Sequence, residues 1–122
     1  MRDYDVMRQV LAVIAASGET RYSAFGSVKP RGGVDEELSR LTGDGLVDGE
    51  VMRDRYGTLV GVTIRGLTDE GVEFWRLIEN DDVWRIVLGT LTRAAVDVSY
   101  PLLKEVCEEI VKRYVTRFIP DL

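Results

Sequence analysis

Between residues 34 and 84 the signals run short helix, glycine stop, strand, tight turn, strand, long helix. That order predicts a mostly helical α+β fold of the winged-helix, helix-turn-helix-like type, with a two-stranded wing and a carboxyl-terminal helical extension. The glycine stop and the tight turn are the sharpest signals. Gly43 and Gly45 close the short helix by taking positive φ, and Tyr56-Gly57-Thr58 joins two β-prone runs.

The chain opens with a helix over residues 3–16. Tyr4, Met7, Leu11 and Ile14 form one stripe, Val6, Val10 and Val13 lie beside it, and Ser17-Gly18 stops it. Residues 19–33 hold Gly26, Pro30, Gly32 and Gly33 and read as a loop with a short strand at 21–25. The short helix follows over 35–42, with Asp35 as its cap and Glu36 and Glu37 at the positive end of its dipole. Leu38 and Leu41 are its inward face.

Leu46-Val47 begins the first strand. Residues 50–55 alternate, which places Val51, Arg53 and Arg55 on one face, and the return strand covers 59–64. A lone hairpin is marginal in water, so this one must lie against helices. Thr68 caps the next helix, whose apolar side is Phe74, Trp75, Leu77 and Ile78. Asn80-Asp81-Asp82 interrupts it, with Asp82 read as the cap of a further helix carrying Trp84, Val87, Leu88 and Leu91. Residues 95–99 are a turn, and Ser99-Tyr100-Pro101 starts a last helix running to about Arg117. Two sides of that helix are apolar: Leu103, Val106, Cys107, Ile110 and Tyr114 on one, Val111, Val115 and Phe118 on the other. The expected division is a winged-helix-like domain over 1–94 and, over 95–122, a helix that packs on it or forms an oligomer interface.

Leu67-Thr68-x-Glu70-Gly71-x-Glu73-Phe74 followed by Asp81-x-Val83-Trp84 resembles the prophage-associated family known as domain of unknown function 2513. Met1-Arg2-Asp3-Tyr4-Asp5-Val6-Met7-Arg8 and Leu102-Leu103-Lys104-Glu105 are similar to it as well. The chain departs from the family pattern at Asp69, where tryptophan is usual, at Val72, where histidine is usual, and through residues 18–33. The resemblance implies a winged-helix-like fold and a phage or prophage setting, and it supplies no catalytic residues.

At 122 residues and 45% hydrophobic, the chain suits one compact core. The longest aliphatic run, residues 11–16, is far short of the roughly 20 needed to span a bilayer, and no secretory pattern opens the chain. A cytoplasmic protein with no membrane partner is expected. Histidine is absent, which removes serine–histidine and cysteine–histidine catalysis and histidine-bearing metal sites; a non-enzyme without cofactor or metal is expected. Cys107, alone, cannot form an internal disulfide and reads as a buried small hydrophobe. Trp75 and Trp84 read as core, Asp82 as a helix cap and Glu79 as part of a solvated face, rather than as cation ligands together with Asp81.

The formal charge of −5 opposes simple attraction to a polyanion. Its distribution is uneven, because the basic and acidic residues of 21–65 balance whereas the residues from 66 onward carry the excess acid. Within the balanced segment the candidate DNA contacts are Arg53 and Arg55 on the wing, Arg65 at its base, Ser39 and Arg40 on the short helix, and Lys29 and Arg31 beside Pro30. Asp35, Glu36 and Glu37 at the entry of that helix oppose major-groove readout.

The sequence thus leads to two expectations. One is a regulatory protein that contacts double-stranded DNA through its wing as a homodimer, with Val111, Val115 and Phe118 as the candidate oligomer interface. The other is a winged helix that binds a protein partner and no DNA.

Overall fold

The computed structural model describes residues 2–94 and 97–118, the last by its backbone alone. The fold is α+β: five helices and one two-stranded antiparallel sheet among the described residues, in two compact units. One unit is Asp3–Trp75; the other is Arg2 with the described residues from Arg76 onward. The expected turn at 95–99 falls partly on residues 95 and 96, which lie outside the described residues.

In the first unit, α1 (Tyr4–Ser17) starts at Asp3, whose carboxylate accepts from the amides of Asp5 and Val6 at 3.1 Å each. Tyr4, Val6, Met7, Val10, Leu11 and Ile14 are buried, and α1 packs on α2 (Val34–Gly43) and on β2 (Leu59–Leu67). Both expected stripes of α1 therefore face inward, apart from half-buried Val13.

The connection from α1 to α2 corrects the expected loop and strand. Residues Tyr22–Ser27 and Arg31–Gly33 form 3₁₀ turns. The physical reason is the three-residue spacing of Tyr22 and Phe25. A 3₁₀ turn stacks i and i+3 on one side, where a strand would oppose them. The two rings meet edge to face at 6.4 Å, and Phe25 is fully buried. The extended contact falls one residue earlier than the expected strand, where the Thr20 amide donates to the Ile64 carbonyl at 3.0 Å.

Asp35 is not the cap of α2. The helix begins at Val34, behind Gly33, with no side-chain cap, and Val34 is itself buried. The Asp35 carboxylate instead accepts the Tyr22 hydroxyl. At the other end Gly45 alone takes positive φ, 77°, while Gly43 stays in the helix.

β1 (Val47–Arg53) pairs antiparallel with β2, with irregular register at Asp48/Gly49 and at Met52/Arg53. The alternation expected to carry on to Arg55 stops at Arg53, because the Asp54 carboxylate accepts from the amides of Tyr56 and Thr58 at 2.8 and 2.9 Å and folds the chain into a turn. Arg53 and Arg55 consequently do not share a strand face. The first part of α3 (Asp69–Ile78) completes this unit; Thr68 caps it as expected, its hydroxyl accepting from the Gly71 amide at 3.0 Å and donating to the Gly45 carbonyl at 2.5 Å. Phe74 is buried, but Trp75 is only half-buried.

In the second unit α4 (Asp81–Ala94) packs against α5 (Tyr100–Phe118). Asn80, not Asp82, caps α4: its side-chain oxygen accepts from the amides of Asp82 and Val83 at 2.9 and 3.1 Å. Asp82 faces Arg85 at 3.7 Å. Val83, Trp84, Val87 and Leu91 are buried on α4, and Leu103 and Cys107 on α5. The apolar side of α5 thus splits, since Val106, Ile110 and Tyr114, expected in the same stripe as Leu103 and Cys107, border a groove open to solvent. Among the described residues, no helix is long and apolar enough to cross a membrane.

Candidate nucleic-acid interface

The surface that gathers most of the sequence-nominated residues is the exposed side of α2 together with the turn between β1 and β2. Arg53, at the end of β1, reaches across it. One guanidinium nitrogen donates to the Gly57 carbonyl at 3.0 Å, and another to the Ser39 hydroxyl at 3.1 Å and the Asp35 carbonyl at 3.4 Å. Its partners are all neutral oxygens, so its charge is held in place without being neutralised by them. Ser39 is itself anchored through its hydroxyl to the Asp35 carbonyl at 3.2 Å.

Arg31 joins the same side of α2 through Tyr22. Its guanidinium carbon lies 5.8 Å from the centre of the Tyr22 ring, whose hydroxyl donates to Asp35. That hydrogen bond is the main reason the Tyr22 phenol is pushed above its ordinary value of 10.0, with burial and the Asp35 charge adding and Arg31 opposing. The phenol therefore stays protonated and keeps donating through the physiological range.

The carboxylates that oppose DNA at the start of α2 are less available than their order in the sequence implies. Glu37 is buried at 3% exposure. Asp35 is half-buried and engaged by Tyr22, and the exposed Glu36 pairs with Arg40 at 3.0 Å. Burial of Glu37 is legible only from the helix phase, which puts it beside Leu41 and Val34 at the edge of the inward side.

Two of the nominated cations are matched by acids. Arg40 is held by Glu36, and Arg65 lies 3.0 Å from Asp48 and 4.0 Å from Glu50 across the hairpin. Arg55 sits in the turn with its guanidinium 5.0 Å from the Tyr56 ring centre, and both side chains are exposed. Lys29 is positioned through its backbone, for the Gln9 amide brackets it by accepting from its N–H at 3.0 Å and donating to its carbonyl at 2.8 Å. That leaves the Lys29 side chain exposed.

Sequence reading missed an apolar element of the β1–β2 hairpin. Met52, Tyr56 and Val60 are 53%, 77% and 62% exposed. The signal was present in the alternation, which separates Met52 from Val51. Of the nominated oligomer residues, Val111 and Val115 are half-buried on α5, and the Phe118 side chain lies outside the described residues.

No family model matches the chain. The chain is similar to an uncharacterized protein of Haemophilus influenzae, with 28% identity over 121 aligned residues covering 92% of this chain and 96% of that protein. No solved structure matches it.

Proposed function

We propose that the protein is a non-enzymatic winged-helix regulator of phage or prophage type that contacts double-stranded DNA through its wing. In this reading α1, the 3₁₀ connection and α2 stand for the helical part of a winged helix, and β1 with β2 for its wing. The carrying observation is the Arg53 clamp, which fixes the wing turn to the exposed side of α2 with an uncompensated cation at the junction. Arg55 and Lys29 add exposed charge, whereas Arg40 and Arg65 contribute little because carboxylates already face them. About three phosphate contacts per chain give a shallow salt dependence and modest affinity.

The test is fluorescence anisotropy of a labelled random-sequence duplex at about 50 and 200 mM salt, the span over which phosphate contacts are released. Binding is expected to weaken with salt, and Lys29→Glu with Arg55→Glu to flatten the dependence, since both side chains are exposed. Absence of binding at the lower salt overturns the DNA reading.

A second reading, a winged helix that binds protein, draws on the exposed Met52, Tyr56 and Val60 of the wing. Partner binding that survives high salt and fails in Met52→Ser with Val60→Ser would favour it.

A further inference from the structure

The solvent side of α5 is patterned along its length. Leu102, Val106, Ile110 and Tyr114 recur every four residues beside a groove against α4, where Ile86 and Leu102 are each 46% exposed. Next to that row runs a second of the same spacing, Glu105, Glu109, Arg113 and Arg117, acidic in its first half and basic in its second. Rows spaced by four residues form ridges that fit the grooves of another such helix.

The last three residues of the apolar row and the four of the charged row have almost the same midpoint. Val106 and Tyr114 lie symmetrically about Ile110, and the charges lie symmetrically about Val111. A two-fold axis near Ile110 therefore stacks the apolar row on its own copy while bringing Glu105 to Arg117 and Glu109 to Arg113 of a second chain. Parallel pairing would instead turn this row toward the opposite flank of the partner helix and leave the row without its complement. Flanking rows of one helix meet their own copy in antiparallel pairs, and a self-complementary patch is what a two-fold dimer requires.

We propose that this face of α5, with Ile86 of α4, is a homodimer interface in which two copies of α5 cross antiparallel at Ile110. The proposal is independent of any DNA contact. It moves the dimer surface from Val111, Val115 and Phe118 to the neighbouring side of the helix. The present Glu109–Arg113 pair, 3.3 Å apart and largely exposed, is no obstacle, because such pairs within one helix are weak and re-form readily across an interface.

Sedimentation equilibrium of the full chain over a concentration series tests it, with circular dichroism to confirm that each variant is folded. The wild type is expected to reach twice the 13.7 kDa chain mass. Glu105→Arg with Glu109→Arg, and separately Arg113→Glu with Arg117→Glu, are each expected to weaken dimerisation by about tenfold or more through like-charge contact. The four changes combined in one chain restore opposite charges in the antiparallel pairing and are expected to restore the dimer. Ile110→Asn, which leaves the charges alone, is expected to give a monomer. A wild type that stays monomeric, a dimer indifferent to both charge reversals, or a fourfold variant that fails to recover would each overturn the proposal.

Discussion

A Cβ at Gly71 would stand 1.9 Å from the Leu46 carbonyl oxygen, which also accepts from the Thr68 amide. Backbone cannot retreat from such a contact without opening the junction of β2 and α3. Gly71→Ala is therefore expected to destabilise the protein by about 3 kcal/mol, the severe end of overpacking, read as a lower urea midpoint. Gly89→Ala is the control of opposite sign: nothing lies within 4 Å of its added Cβ, and alanine in a helix interior is worth about 0.5–1 kcal/mol over glycine. Cys107 gives a different test at the same scale. Burial, with a smaller push from Glu108, raises its thiol to about 12. Near neutral pH it is expected to resist iodoacetamide in the folded chain and to react promptly in urea. Because the folded value is the higher one, its contribution to stability is complete below the ordinary value of 9.0. It is lost as pH rises from there toward about 12, the unfolded chain ionising first.

At the scale of elements, Thr68 ties the start of α3 to the loop after α2. Its hydroxyl accepts from Gly71 and donates to Gly45. Thr68→Ala is expected to cost about 1–2 kcal/mol in thermal or urea unfolding, the upper range for a cap, since a second bond goes with it. Thr68 and the helices it joins were legible because caps and apolar periodicity act through neighbours in sequence. The α1 stripes, the Tyr56-Gly57-Thr58 turn and the pairing of two β-prone runs were legible for the same reason. What was not legible depends on partners distant in sequence. Asp35 is drawn from capping by Tyr22, and Arg53 is drawn from the end of β1 to Ser39 on α2. Arg65 meets Asp48 only once the strands are in register. The choice of Asn80 over Asp82 as cap turns on a helix boundary two residues wide, below what periodicity resolves. Most of the candidate site was thus named in sequence, but which of its cations are already matched by acids was not. The Arg53 clamp is itself testable by hydrogen exchange: Arg53→Ala is expected to speed exchange at the Gly57 amide, now bonded to the Asp54 carbonyl at 3.0 Å, while leaving the α1 amides protected.

At the scale of the whole molecule, a chain of net charge −5 must concentrate its few available cations to hold a polyanion. If two copies joined through α5 both engage one duplex, their cations act together. With about three phosphate contacts per chain, the slope of log affinity against log salt is about −3 for one chain and about −5 for two acting together. Ile110→Asn separates these cases without altering the net charge or touching the wing. If wing and dimer act together, the variant is expected to bind the duplex more weakly at low salt and with about half the wild-type slope. An unchanged slope in a demonstrably monomeric variant would mean that a single wing carries all the contact and that dimerisation serves another end. A slope of zero in the wild type would remove DNA from the account and leave the α5 face to stand on its own sedimentation test.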